Sequence, residues 1–104
     1  MRFKGNRDIA LSVDNLESSR RFYENVLGFT CERHEDKLAV YNTGAFTLYI
    51  QEGEPHPPVP SFTVKDMNDA RQCLVKAGCI ILVDRGKSLY FRDPDGVIWD
   101  IIEG

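Results

Sequence analysis

Residues 12–29 read SVDNLESSRRFYENVLGF, and they join the end of a strand to a complete amphipathic helix. Asp14 and Glu17 have the spacing of a capping box at the start of the predicted helix, and Gly28 supplies a left-handed residue to end it. The apolar residues that recur at helical spacing, and that we expect on one buried face, are Leu16, Phe22, Tyr23, Val26 and Leu27. This face must be buried against another element of the fold, and strand-like sequence lies on both sides of the helix.

The flanking sequence has the alternation of such strands. Before the helix, Ile9, Leu11 and Val13 alternate with polar or small residues, which predicts a half-buried strand. After the helix, turns near 36–37 and 42–44 separate three further strand-like segments, TCERHED, KLAVYNTG and AFTLYIQEG. The first half is therefore predicted to be a βαβββ unit.

The second half repeats this order. VPSFTV predicts a strand, and Asp66 caps a helix that Gly78 ends; the apolar face of that helix consists of Met67, Ala70, Cys73, Leu74 and Ala77. Three more strands follow, CIILVD, KSLYFR and VIWDIIEG, and SVDNL aligns with TVKDM at an offset of 51 residues. The sequence thus predicts one α+β domain over residues 1–104, in which modules 1–52 and 59–104 are joined by a proline-rich tether, residues 53–58. Because one module has too little core alone, the two should pack together or exchange between subunits.

Composition excludes several classes of protein. The chain has 104 residues, 42% of them apolar and 28% charged, and its net charge is −3, which fits a globular protein and argues against a nucleic-acid partner. No apolar run approaches a membrane span, and the N-terminus lacks the apolar middle of a signal peptide. Cys31, Cys73 and Cys79 are odd in number and lack CxxC spacing, which favours reduced, mostly buried thiols in the cytoplasm over disulfides or a zinc site.

Two segments resemble one known family. FYENVLGF, residues 22–29, and FRDPDGVIWDIIE, residues 91–103, resemble the opening helix and the closing strand of the vicinal oxygen chelate superfamily. That superfamily includes glyoxalase I, extradiol dioxygenases and bleomycin-resistance proteins, so the fold indicates many chemistries and not one. The resemblance implies cupped mixed sheets around a concave site, helices on the outside, and a homodimer.

The resemblance also implies four site positions, one on the first and one on the last strand of each module. The 51-residue offset relates Asp8 to Val59, and the turn glycines, Gly44 and Gly96, are 52 residues apart and relate Leu48 to Asp100. Strand alternation places Asp8 opposite Ile9, Leu11 and Val13, and Asp100 on the face of Ile98 and Ile102. The family pattern has histidine or glutamine at the opening positions and glutamate at the closing ones, whereas this chain has aspartate, leucine, valine and aspartate.

These residues make an ordinary metal centre doubtful. Asp8 and Asp100 without an imidazole cannot form the usual site for nickel, zinc or ferrous iron, which favour nitrogen ligands. We expect no firmly bound cofactor; the alternative is a hard divalent cation, magnesium or manganese, held loosely on the two carboxylates. Simpler roles stand beside this one: Asp8 as a solvated residue at the rim, and Asp100 as the partner of Arg92, Arg85 or Lys37 in a structural ion pair.

Two functions follow from these positions. The first is a protein that binds a small planar or cationic organic ligand without a standard metal centre, in a pocket lined by Phe46, Leu48, Ile50, Val59, Ile98 and Asp100. The second is a lyase or isomerase similar to glyoxalase I, in which a cation on Asp8 and Asp100 polarises a carbonyl and one carboxylate acts as the base. His34 lies in a charged run typical of a solvated face, and His56 lies in the tether, so neither histidine is assigned to the site.

Overall fold

The computed structural model describes all 104 residues, and its elements confirm the predicted α+β class. Eight strands, two α-helices and one π-helical turn follow each other in the order βαβββ, twice. The chain divides into two compact units, Arg7–Pro58 and Met1–Asn6 together with Val59–Gly104. We call them the N-terminal and the C-terminal unit. Neither helix has the length and apolar character to cross a membrane.

The N-terminal unit contains the first module. Its strands are β1 (Lys4–Val13, of which Arg7 onward belongs to this unit), β2 (Cys31–Glu35), β3 (Leu38–Asn42) and β4 (Thr47–Glu52). They are ordered β2-β3-β4-β1, with β4 parallel to β1 and the other pairs antiparallel. Between β1 and β2 lie α1 (Leu16–Arg21) and the π-helical turn Phe22–Val26. A parallel first and last strand requires the crossover helix that the sequence predicted.

The C-terminal unit contains the second module, with the same connections. Its strands are β5 (His56–Val64, of which Val59 onward belongs to this unit), β6 (Ile80–Asp84), β7 (Ser88–Arg92) and β8 (Ile98–Glu103). They are ordered β5-β8-β7-β6, with β8 parallel to β5 and the others antiparallel. The helix α2 (Met67–Lys76) joins β5 to β6.

The first helix differs from its predicted form. Its N-cap is Asn15, whose side chain accepts a hydrogen bond from the backbone of Ser18, and so the predicted cap at Asp14 is one residue too early. Leu16 is buried and Tyr23 packs on the same core, but the rest of the predicted apolar face is exposed: Phe22, Val26 and Leu27. The π-helical turn explains this, because its wider spacing rotates the following residues away from the face that an α-helix would continue.

The second helix begins and ends as predicted, but two residues of its predicted apolar face, Cys73 and Ala77, are exposed. Asp66 is the N-cap and accepts from the backbone of Asp69, and Gly78 has a φ of 91° at the other end. Met67, Ala70 and Leu74 are buried in the core of the C-terminal unit. The cysteines depart from expectation, because Cys73 is exposed and Cys31 and Cys79 are only half-buried.

A glutamate on the last strand of each module accepts a hydrogen bond from the first residue of that module's helix. Glu52 accepts from the backbone of Leu16 at 3.0 Å, and Glu103 accepts from the backbone of Met67 at 2.8 Å. A carboxylate at a helix N-terminus satisfies a free N–H and complements the helix dipole. The two glutamates are 51 residues apart, as are the two helix residues, so this contact belongs to the repeat.

The proline-rich segment contributes to a strand. The sequence predicted that β5 begins at Val59, whereas extended structure begins at His56. Proline lacks a backbone donor but its φ is compatible with an extended chain, and the residue before a proline is itself driven toward extended conformations.

Candidate functional site

Each sheet has one face covered by its helix and one helix-free face. In the N-terminal unit the covered face carries Ile9, Leu11 and Val13, which pack with Leu16 of α1. Asp8 is opposite in parity and lies on the helix-free face, as predicted from alternation. The register between the parallel strands β1 and β4 pairs Asp8 with Thr47 and Ala10 with Tyr49. Tyr49 therefore lies on the helix-free face with Asp8.

This register corrects the predicted pocket. Leu48 pairs with Ile9, Ile50 pairs with Leu11, and both are buried in the core beneath α1, with Phe46 packed against that core. All three were expected to line the pocket, and all three lie on the covered side of the sheet. Because side chains alternate along a strand, an error of one residue moves a whole set to the other face.

The source of the error is a difference between two turns. Asn42 pairs with Thr47 in the first module, whereas Arg92 pairs with Ile98 in the second, so residues 43–46 form one loop and residues 93–97 the other. The second loop, which contains DPDG, is one residue longer than the first. The 52-residue offset between the turn glycines therefore does not apply to the residues of the strands that follow. The counterpart of Asp100 is Tyr49, at the same 51-residue offset as the helices.

In the C-terminal unit the residues of β8 lie on the faces that alternation predicted. Trp99 and Ile101 pack with the helix-side core, and so Asp100 lies on the helix-free face of β8, between Ile98 and Ile102. Tyr90 of β7 is the direct cross-strand partner of Asp100. Val59, buried on β5, precedes Ser61 by two residues and so shares that face.

A chain of hydrogen bonds positions Asp100. The hydroxyl of Ser61 donates to Oδ2 of Asp100 at 2.8 Å, and Nδ2 of Asn6 donates to Oγ of Ser61 at 2.9 Å and to Oγ1 of Thr63 at 3.1 Å. A hydroxyl has one proton, and because Ser61 accepts from Asn6, that proton is directed at the carboxylate. Ser61 is buried, so this arrangement is shielded from competing water.

The helix-free face of the N-terminal unit holds a neutral phenol beside charged groups. Burial raises the pKa of Tyr49, and the negative charge of Asp8 raises it further, while Arg33 acts in the opposite direction. Burial likewise raises the pKa of Asp8. At neutral pH Tyr49 is therefore a protonated hydrogen-bond donor near a carboxylate.

Both histidines have hydrogen-bond partners. His34 is exposed and its ring lies 3.2 Å from a guanidinium nitrogen of Arg20 on α1, which confirms the solvated reading. His56 opens β5, with Nδ1 at 2.8 Å from the carbonyl oxygen of Pro57.

The donor set does not fit the metal centre that the family pattern implies. The corrected positions carry Asp8, Tyr49, Val59 and Asp100, and no histidine or glutamate is among them. Nowhere in the chain do three histidine, cysteine, aspartate or glutamate side chains gather in an arrangement suited to a metal ion. Zinc, nickel and ferrous iron are held by nitrogen and sulfur donors that these positions do not provide.

The sequence analysis missed several polar residues of these faces: Asn6, Tyr49, Ser61, Thr63 and Tyr90. Tyr49 was available from the 51-residue offset, had it been extended to the last strands. Asn6, Ser61 and Thr63 carried no periodic signal, because their connection runs between strands far apart in sequence.

The fold defines a class: two βαβββ modules in one chain, each with a sheet that has one face covered by a helix and one helix-free face. Residues 7–101 match the family described as the Glyoxalase/Bleomycin resistance protein/Dioxygenase superfamily, and the chain belongs to it. The virulence protein STM3117 of Salmonella typhimurium is a relative, 30% identical over 114 aligned positions that cover 89% of this chain and 79% of the relative.

Solved structures agree with the fold. An extradiol ring-cleaving dioxygenase from B. fuscum superposes with a TM-score of 0.72 at 20% identity, over 97% of this chain and 32% of the dioxygenase. The hypothetical protein BH1468 from Bacillus halodurans has the same TM-score at 18% identity and is covered over 96% of its length. At these identities the likeness concerns the fold alone, and this chain spans about a third of the dioxygenase.

Proposed function

We propose that this protein binds a small planar or cationic organic ligand on its helix-free faces, without a standard metal centre. The observation that carries the proposal is the composition of the C-terminal face. Asp100 is flanked by the half-buried Ile98 and Ile102, has Tyr90 as its cross-strand neighbour, and is held in place through Ser61. Apolar surface with a few fixed polar groups is the usual composition of a ligand site.

The charge of this face favours a cation. Asp100 offers a carboxylate, and the ring of Tyr90 already attracts the guanidinium carbon of Arg85, which lies 6.0 Å from the ring centroid. An aromatic face next to a carboxylate suits organic cations, since both the ring quadrupole and the negative charge attract them. The helix-free face of the N-terminal unit has a neutral hydrogen-bond donor of its own, Tyr49.

The test uses three planar probes of similar shape: 1-methylquinolinium, 1-methylnaphthalene and 1-naphthoate. We expect calorimetric titration to give binding in the order cation, neutral, anion. Asp100→Asn should weaken binding of the cation about tenfold or more, because a contact to a charged group is worth about 1.5–3 kcal/mol. Glu17→Gln, an exposed carboxylate on α1, is the matched control and should bind as the native protein does. Equal binding of all three probes would contradict the proposal.

The alternative is a divalent-metal lyase or isomerase similar to glyoxalase I. It is supported by family membership and by the location of Asp8 and Asp100 on helix-free faces. Calorimetric titration with manganese, nickel and zinc, beside the Asp8→Ala, Asp100→Ala double variant, separates the two functions. Micromolar binding that the double variant loses would favour the enzyme, and absence of binding in both proteins would favour the organic ligand.

We further propose a homodimer in the cytoplasm. The family resemblance supports the dimer, and three cysteines without CxxC spacing support a reducing compartment. Sedimentation velocity at micromolar concentration would test the dimer, and fractionation of the native cell would test the compartment.

A further inference from the structure

Two cysteines lie on either side of the end of α2: Cys73 is in its last turns and Cys79 follows it. Gly78 has a φ of 91°, its N–H donates to the carbonyl of Val75 at 3.1 Å, and the N–H of Cys79 donates to the carbonyl of Leu74 at 2.9 Å. These two bonds form a Schellman motif, in which the residue after the glycine folds back onto the last turns of the helix. In such a motif the side chain of the residue after the glycine often contacts the last turns of the helix. Here Cys79 packs against the core that contains Leu74, and Cys73 is the residue of α2 that precedes Leu74.

The two thiols have different surroundings. Cys73 is exposed on α2, whereas Cys79 is half-buried and packs against the core that contains Leu74. Burial raises the pKa of the Cys79 thiol, and the negative charges of Asp93 and of the Cys73 thiolate raise it further. An exposed thiol with a partly shielded neighbour is the arrangement of an attacking and a resolving cysteine.

We propose that Cys73 and Cys79 form a redox-active dithiol that a low-molecular-weight disulfide, such as oxidised glutathione, converts to an intramolecular disulfide. The Cys73 thiolate attacks one sulfur of oxidised glutathione, forms a mixed disulfide and releases one glutathione thiolate. The Cys79 thiolate then attacks the Cys73 sulfur and releases the second glutathione. Two electrons pass from the protein to glutathione disulfide, which is reduced to two thiols that take up the two protons.

Cys31 provides an internal control. It lies on β2 of the N-terminal unit, where its Sγ donates to the carbonyl of Arg33 at 3.3 Å. It is a half-buried cysteine like Cys79 but has no second cysteine within its unit. We expect it either to stay reduced or to keep a single glutathione adduct.

Trypsin separates all three cysteines. Cleavage after Lys76 places Cys73 in residues 72–76 and Cys79 in residues 77–85, and Cys31 lies in residues 22–33. The folded protein is incubated with oxidised glutathione, blocked with iodoacetamide, digested without reductant and analysed by mass spectrometry. The expected product is peptide 72–76 joined to peptide 77–85, with the mass of the two less two hydrogens.

Two variants sharpen the result. Cys79→Ser should keep glutathione on Cys73, because no resolving thiol remains, whereas the native protein loses it. Gly78→Ala should slow formation of the linked peptides, since a Cβ at this φ is strained and loosens the motif. Glutathione retained on Cys73 in the native protein as in Cys79→Ser, with no linked peptides, would overturn the proposal. Linked peptides found only in a covalent dimer on a non-reducing gel would also overturn it.

Discussion

At the scale of single residues, each unit has a buried hydroxyl that donates a hydrogen bond to a carboxylate. Tyr41 is fully buried and donates to Oε2 of Glu24 at 2.7 Å, and Arg20 donates to the same oxygen at 2.9 Å. Ser61 does the same for Asp100 on the opposite kind of face. In both cases a neutral donor fixes the carboxylate, and neither pair follows from the spacing of residues in the sequence.

Ser61→Ala removes the donor to Asp100 and the acceptor of Asn6. We expect the free energy of unfolding to fall by about 1–2 kcal/mol, because the half-buried Asn6 and Asp100 each lose a hydrogen bond to the buried hydroxyl. Urea denaturation measures the loss. Ser61→Thr keeps the hydroxyl and suits a strand, so it should recover most of the stability. If the two variants are equally stable, the hydroxyl has no role in holding Asp100.

Tyr41→Phe tests the other hydroxyl through pH. Burial, followed by the bond to Glu24, raises the pKa of Tyr41 from 10.0 to about 12. A folded pKa above the unfolded one contributes stability that is complete below pH 10 and is lost as pH rises toward 12. The free energy of unfolding, measured by urea denaturation, should therefore fall by about 2 kcal/mol more in the native protein than in Tyr41→Phe across that window. Parallel curves for both proteins would contradict this assignment.

At the scale of elements, the length of each turn determines which residues of the next strand lie on the helix-free face. Both modules follow the same order of strands, and in both a glycine with positive φ, Gly28 or Gly78, follows the helical segment. The loop that contains DPDG is nevertheless one residue longer than its counterpart. The 52-residue offset of the turn glycines therefore pairs Asp100 with Leu48, whereas the 51-residue offset of the helix starts pairs it with Tyr49. Periodicity predicted every strand but not the register between them.

Asp93 holds the DPDG turn, and its contribution should be visible in acid. It accepts from the backbone of Asp95 and Val97 and, at 3.0 Å, from Nε1 of Trp99, and these bonds lower its pKa, the bond to Trp99 most. A lowered folded pKa contributes stability that is present above the usual aspartate range and is lost as pH falls through the folded value.

Asp93→Asn should therefore be less stable than the native protein at pH 7, and the difference should narrow as pH falls below 3.8. Trp99 is the single tryptophan, so its fluorescence reports both the urea transition and the environment of the turn. Asp36→Asn, in the exposed turn between β2 and β3, serves as the control. Its free energy of unfolding should vary with acidic pH as that of the native protein does. A constant difference at all pH values would show that the charge of Asp93 has no part in the effect.

At the scale of the whole molecule, the boundary between the units does not follow the repeat. The first six residues belong to the C-terminal unit, where Phe3 packs against the core and Asn6 donates to Ser61 and Thr63. Arg7, the first residue of the other unit, has a φ of 64°, which is uncommon for a residue with a side chain. One strand thus contributes to both units.

Phe3→Ala should weaken the C-terminal unit specifically. Loss of a partly buried aromatic side chain costs about 2 kcal/mol, and its contacts are with the core around Leu89 and Ile101. Hydrogen exchange followed by mass spectrometry should show faster exchange in α2 and β8. The control is Phe29→Ala, which packs on the core of the N-terminal unit and should affect β3 and β4 instead. The same exchange pattern in both variants would mean that the two units do not open separately.

The sequence by itself determined the two βαβββ modules, their helix-ending glycines, the cap at Asp66 and the family, because these depend on periodicity, turn chemistry and motifs within a few neighbouring residues. It also located Asp8 and Asp100 on helix-free faces, since alternation along one strand is a local property. Only the tertiary structure decided that Tyr49 and not Leu48 lies on the helix-free face, and that Asn6 and Ser61 are hydrogen-bonded in a chain to Asp100. Those facts depend on register between strands and on hydrogen bonds between distant segments, and one extra residue in a turn is enough to reverse the face of a strand.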